Sequence, residues 1–306
     1  MLLSRTTLPA VLLVLAAADL PAQSPRRSDV EVGTVIVAHG GGPEWNAQVE
    51  RVAAEVRLPG PVGVAFLMGP GARSHRFQDV VADVVRRGAR EVVVVPLLVS
   101  SHSGHYEQVR WLVGATDSLD ATMRHHLQMG GLARPATTVP LRLAPALDDA
   151  AEVAEVIAAR ARALATEPAA QALFVVGHGP SSAEDDAAWM RNLRPVAERA
   201  RAQAGMRQVL VGFVRDDAPP PVREEAVRRV RELIALQREA TGRDVVVVPV
   251  LVAPGKVSRE TLPRDLQGLP IAWTGEVLLP HPAVARWVEA SVRRTAALDL
   301  TGTTGK

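Results

Sequence analysis

Thr34-Val-Ile-Val-Ala-His39-Gly40-Gly41 and Leu173-Phe-Val-Val-Gly-His178-Gly179-Pro180 carry one pattern twice, an apolar run that ends in His-Gly. Each is followed by a second apolar run through a proline, Glu91-Val-Val-Val-Val-Pro96-Leu-Leu-Val and Asp244-Val-Val-Val-Val-Pro249-Val-Leu-Val. Self-similarity at this spacing means two copies of a whole domain, not the short unit of a solenoid. Each half then serves as a control for the other.

Working outward from these runs, strands and helices alternate. In the first copy a β-branched run at 32–38 precedes a helical stretch at 45–57, whose Val49, Val52, Ala53 and Val56 share one face. A strand at 62–67, a helix at 76–87 and the strand at 91–99 follow. The second copy repeats the order with a strand at 172–177, helices at 185–204 and 222–241, and strands at 208–214 and 244–252. Such alternation predicts parallel sheets with helices on both faces, and continuous runs such as Val92 to Val95 fit strands buried on both sides. Thr138-Val-Pro-Leu-Arg142 and Pro270-Ile-Ala-Trp273 each lead into a closing helix. The join falls where Thr166-Glu-Pro168 breaks an Ala-rich helix, which sets the two units at residues 31–165 and 169–297. Residues 114–135, with His125, His126 and Gly130-Gly131, have no counterpart in the second copy.

The bulk numbers agree with a two-domain globular chain: 306 residues, 47% hydrophobic and 22% charged. Basic and acidic residues nearly balance at 35 and 33, mixed along the helices, and aromatics are only 3%, which disfavours a nucleic-acid interface. The chain has no cysteine, so disulfides, a lipid-anchoring cysteine and thiolate metal sites are excluded. Residues 1–24 have the form of a signal peptide: Arg5, an apolar run over 8–18, then Asp19-Leu-Pro-Ala22-Gln-Ser24 with small residues for cleavage. That run is too short to span a bilayer, and Pro9 and Pro21 around it argue against a buried helix. Export is the expectation.

In an open parallel sheet, ligands bind outside the carboxyl ends of the strands, where His39 and His178 fall. The loop after Pro96, Ser100-Ser101-His102-Ser103-Gly104-His105-Tyr106-Glu107, adds two imidazoles and a carboxylate to the first copy. Neutral imidazole is the commonest nitrogen ligand for divalent first-row metals. His39, His102, His105 and Glu107 are therefore the candidate metal ligands, although His102 or His105 taken alone fits a helix cap or a carbonyl partner equally well. The equivalent loop of the second copy, Ala253-Pro-Gly-Lys256-Val-Ser-Arg-Glu260, contains no histidine. His178 is expected to be a structural relic, with substrate contact as the alternative, and the second half a degenerate partner. His75, His125 and His126 read as solvated residues and His281 as a turn element. The tryptophans read as core, although Trp45 beside His-Gly-Gly is a possible face for a flat aromatic ligand. His-Gly-Gly also occurs in α/β-hydrolases, but no Gly-x-Ser-x-Gly turn is present. Neither a Gly-x-Gly-x-x-Gly fingerprint nor a Walker loop supports nucleotide use.

Taken together, the strand-His-Gly opening with Asn46-Ala47 after it, the Val-Val-Val-Val-Pro-Leu-Leu-Val strand, the Gly104-His105 loop and the proline-marked closing helix resemble a known family. They are similar to the class II chelatases of the CbiX/SirB type, which insert cobalt or iron into sirohydrochlorin without ATP. The resemblance covers residues 33–297 in two tandem copies, and Arg259-Glu-Thr-Leu-Pro263 matches the stretch after the family's second histidine. It implies two tandem chelatase-like α/β domains, each a small parallel sheet flanked by helices, and a lyase-type metal chelatase. His39 and His105 would be the catalytic histidines, with His102 the rival for the second place. A tetrapyrrole would be the partner molecule and a divalent ion the substrate, Co²⁺ or Fe²⁺, or else Ni²⁺ or Zn²⁺. Met68 stands near where the family often has an acidic residue, and Val257 where its histidine would be in the second copy. The alternative is an exported protein that binds a divalent metal or a tetrapyrrole without turnover.

Overall fold

Side chains branched at Cβ pack well on a pleated surface and lose rotamer freedom in a helix, so the valine-rich runs form strands. The computed structural model describes residues 32–297; the leader expected at 1–24 lies outside them. In the first half, β1 (Val32–Ala38), β2 (Val62–Phe66), β3 (Glu91–Leu97) and β4 (Leu141–Leu143) form a parallel sheet in the order β2-β1-β3-β4. The second half repeats it with β5 (Ala172–Gly177), β6 (Gln208–Phe213), β7 (Val245–Val250) and β8 (Ile271–Ala272), ordered β6-β5-β7-β8. The expected fold class, two small parallel sheets flanked by helices, is the observed one.

The first half carries α1 (Pro43–Glu55), α2 (Gly69–Ser74), α3 (Phe77–Arg86), α4 (Gly104–Leu112), α5 (Ala121–Gly130) and α6 (Ala151–Leu164). The second carries α7 (Ala183–Ala204), α8 (Pro220–Thr241), α9 (Leu262–Asp265) and α10 (Pro282–Ala297). Pro43, with its backbone angle already helical, starts α1 two residues ahead of the expected 45. The segment without a counterpart contains α5, which begins where Asp120 accepts hydrogen bonds from the N–H groups of Thr122 and Met123 and ends at Gly131 with φ +67°.

Alternation along each strand divides the interior into three cores. Ile36, Ala38, Phe66, Val93 and Val95 face the middle of the molecule, as do Leu173, Val175, Val246 and Val248 from the second sheet. On the outer faces, Val35, Val37, Ala65 and Val94 pack under Phe77, Val81 and Val109, while Phe174, Val176 and Val247 pack under Val230, Ile234 and Leu262.

The middle core is closed by an exchange of helices. The last helix of the first repeat, α6, lies against β7 and α7 of the second half. The last helix of the second repeat, α10, lies against β1, β3, β4 and α1 of the first. Polar contacts follow the same crossing: Glu289 on α10 accepts the Arg57 N–H at 2.7 Å, and Arg162 on α6 donates to the Gln203 carbonyl at 2.9 Å. The two exchanged helices also meet each other, with Arg286 2.6 Å from Glu155. Among the described residues no helix is long and apolar enough to cross a membrane.

Candidate functional site

Chain connections leave β1 towards β2 on one side and return to β3 on the other, so a crevice opens between the carboxyl ends of β1 and β3. The register pairs Ala38 with Leu97, which starts the two following loops side by side. His39 is the first residue beyond β1 and His105 lies in the first turn of α4. Their rings meet edge to face with centroids 4.6 Å apart.

Backbone geometry explains the His-Gly pair. Gly40 has φ +90°, and a Cβ there would sit 2.3 Å from the Met68 carbonyl oxygen, so no other residue fits. This turn lets the Gly40 carbonyl accept from His39 Nδ1 at 2.7 Å. Asn46, buried on α1, accepts the Gly41 N–H at 2.9 Å, and the Met68 N–H donates to the His39 carbonyl at 2.8 Å. A carbonyl can only accept, so Nδ1 of His39 carries a hydrogen, and the lone-pair nitrogen of the neutral ring is Nε2.

His105 is held in the same tautomer by a different route. Its Nδ1 lies 2.9 Å from Oε1 of Gln108, whose Nε2 donates to the Met123 carbonyl at 2.8 Å. With the amide nitrogen committed to that carbonyl, the amide oxygen faces the ring and accepts from Nδ1–H. Burial, with the neighbouring His39 adding to it, pushes the His105 pKa down to about 4. The ring is therefore neutral near pH 7 and available as a lone-pair donor.

The loop that carries His102 and His105 is braced from across the molecule. The Asp148 carboxylate accepts the Ser101 N–H at 2.7 Å and the Ser101 hydroxyl at 2.6 Å, and Asn192 of α7 donates to it at 3.2 Å. Asp148 has φ +39°, in the left-handed region that Asp tolerates better than most residues. Ser103 caps α4 by accepting the Tyr106 N–H. Trp189 of α7 donates its indole N–H to the His102 carbonyl at 2.6 Å. In reciprocal fashion, Gly255 of the second half lies against Trp45, and Arg259 pairs with Glu44 at 2.5 Å.

The expected residues separate into two groups. His39 and His105 converge. His102 is exposed on the crest of its loop and is tied down through its backbone, while Glu107 pairs with Arg110 at 3.0 Å. Among the described residues no set of three or more His, Cys, Asp or Glu side chains is arranged to hold a metal ion. An ion on the two imidazoles would thus keep most of its coordination positions open.

His178 departs from the sequence expectation. The loop after β7 offers it no imidazole, but its ring lies within electrostatic range of both His39 and His105 of the first half. It bonds the Gly179 backbone as His39 bonds Gly40, packs edge to face on Trp189 at 5.3 Å, and is held towards the neutral form by burial. Trp45 stands edge-on to His39 at 6.5 Å and is only partly buried. His281 accepts the Ala283 N–H in a turn, as expected, and His125 is exposed. His126 is half-buried, with Nδ1 shielded from solvent and unpartnered, and so differs from the solvated residue expected. Gln108 and Asp148 were missed by sequence reasoning. Gln108 sits one helical turn from His105 and was in principle legible by that spacing; Asp148 carries no such signal.

The CbiX family model matches residues 33–164 and again 172–295, and the chain belongs to that family. Among solved structures it is similar to SirB from Bacillus subtilis with Fe³⁺, at 18% identity and a TM-score of 0.59 over 89% of this chain and 98% of that one. A chelatase-like multi-domain protein, DR2241 from Deinococcus radiodurans, aligns at 22% identity and TM-score 0.51, covering 88% of this chain and 55% of that one. CbiX, described as the terminal enzyme of siroheme biosynthesis in denitrifying bacteria, aligns at 17% and 0.50 over 86% and 98%. The search of curated proteins finds no match.

Proposed function

We propose that this protein inserts a divalent metal, cobalt or iron, into a sirohydrochlorin-type tetrapyrrole without ATP. The observation that carries the reading is the convergence of His39 and His105 with both Nδ1 atoms engaged and both Nε2 lone pairs unspent. Insertion exchanges one divalent ion for the two protons on the pyrrole nitrogens. Neutral imidazole suits either half of that exchange, as a ligand to a partly dehydrated ion or as a proton acceptor. Two protein ligands leave positions that ring nitrogens can occupy as the ion moves into the macrocycle.

The test is to incubate the mature chain with sirohydrochlorin and Co²⁺ and follow the absorption spectrum. The metallated spectrum should appear faster than without protein, and His39→Ala or His105→Ala should each remove at least about a hundredfold of the acceleration. Absence of acceleration together with retained Co²⁺ binding would replace the enzyme by a metal-binding protein. The signal-peptide form of residues 1–24 supports action outside the cytoplasm. Recovery of full-length chain from the cytoplasmic fraction would overturn that part.

A further inference from the structure

Between the loop after β2 and α5 the surface opens into a recess of about 510 Å³, with Leu67, Met68 and Arg73 on one wall and His126, Met129 and Gly130 on the other. The first wall adjoins His39, whose carbonyl accepts the Met68 N–H at 2.8 Å. The second wall is α5, whose Met123 carbonyl holds Gln108 behind His105. Because α5 belongs to the segment without a counterpart, the recess is a property of the first half.

Its chemistry is that of a site for a flat organic anion. The thioethers of the half-buried Met68 and of Met129 make an apolar surface over the buried Leu67, and Met129 is 57% exposed, a large apolar side chain left in water. Thioethers are flexible and polarisable and pack well on aromatic faces. Arg73 is exposed and has no hydrogen-bond or ion-pair partner among the described residues. His126 Nδ1 is shielded and also unpartnered, against the general rule that buried polar atoms are satisfied. Among the described residues no carboxylate lines the recess, and the Arg73 guanidinium does, so an anion is favoured over a metal ion.

We propose that this recess seats one carboxylate-bearing edge of the tetrapyrrole, with Arg73 pairing to a ring carboxylate and Met68 and Met129 lying on a pyrrole face. The ring nitrogens are then directed towards His39 and His105. The assignment rests on the chelatase reading above.

Titration of the full chain with metal-free uroporphyrin, a fluorescent octacarboxylate macrocycle, tests it, with Co²⁺ binding measured by calorimetry in parallel. Arg73→Glu and Met129→Glu should each weaken uroporphyrin binding about tenfold or more, and Arg73→Lys should recover part of the loss. Co²⁺ affinity should stay within about twofold, and Leu236→Glu, at an exposed position on α8, should change neither. Wild-type binding that ignores both recess variants would overturn this assignment alone. A parallel fall in Co²⁺ affinity would make the recess a metal site instead. A wild-type chain that binds Co²⁺ but no macrocycle would overturn the chelatase reading as well.

Discussion

His39, His105 and His178 illustrate how little of an imidazole's role is written in its neighbours along the chain. His39 and His178 occupy equivalent turns, bond equivalent glycines and differ in what faces them. Since His178 lies within electrostatic range of the pair but contributes from the far half, His178→Ala should slow metal insertion about tenfold, less than either His39→Ala or His105→Ala. Initial rates for the three variants decide this, and an equal loss from all three would make His178 a full member of the site. The depressed pKa of His105 also has a consequence for stability. In the unfolded chain this histidine titrates near pH 6.5, and in the folded chain near 4, so the unfolded state binds more protons between those values. Stability from this group is complete above about pH 6.5 and falls as pH is lowered towards about 4. His105→Gln should flatten that part of the urea midpoint against pH; burial of His178 acts in the same direction and leaves a residual slope.

At the scale of elements, the strands were legible because a β-branched run bounded by turn formers has few alternatives, and β1 and β5 match the expected bounds to the residue. The helix α5 was not, although Asp120 and Gly131 mark its ends, because its apolar residues make a weak stripe and only Leu127 is buried. What α5 does became visible only with Gln108 bonded to its Met123 carbonyl. Among the described residues the largest fully buried side chain is Trp287 of α10, at 1% exposure in the middle core. Trp287→Ala should cost about 3–5 kcal/mol, the transfer energy of the indole plus the cavity left behind. Denaturant unfolding measures it, and a loss below about 1 kcal/mol would mean that the middle core is not shared as described.

At the scale of the whole molecule, the duplication is not two independent beads. Because α6 covers the second sheet and α10 the first, each half leaves an apolar face open when the other is removed. Residues 31–165 expressed alone should therefore aggregate or pair with a second copy, and co-expression with residues 169–297 should restore a soluble complex. A soluble monomer of the first half with a cooperative melting transition would refute the exchange. Two parallel sheets, their strands, the His-Gly turns and the histidine-rich loop follow from the chain itself, because they rest on local periodicity and on backbone angles that only glycine adopts easily. Which sheet each closing helix covers, and which imidazoles meet, were decided by tertiary packing. An apolar stripe specifies that a helix must be buried, not against what, and side chains far apart in sequence become neighbours only once the middle core has closed.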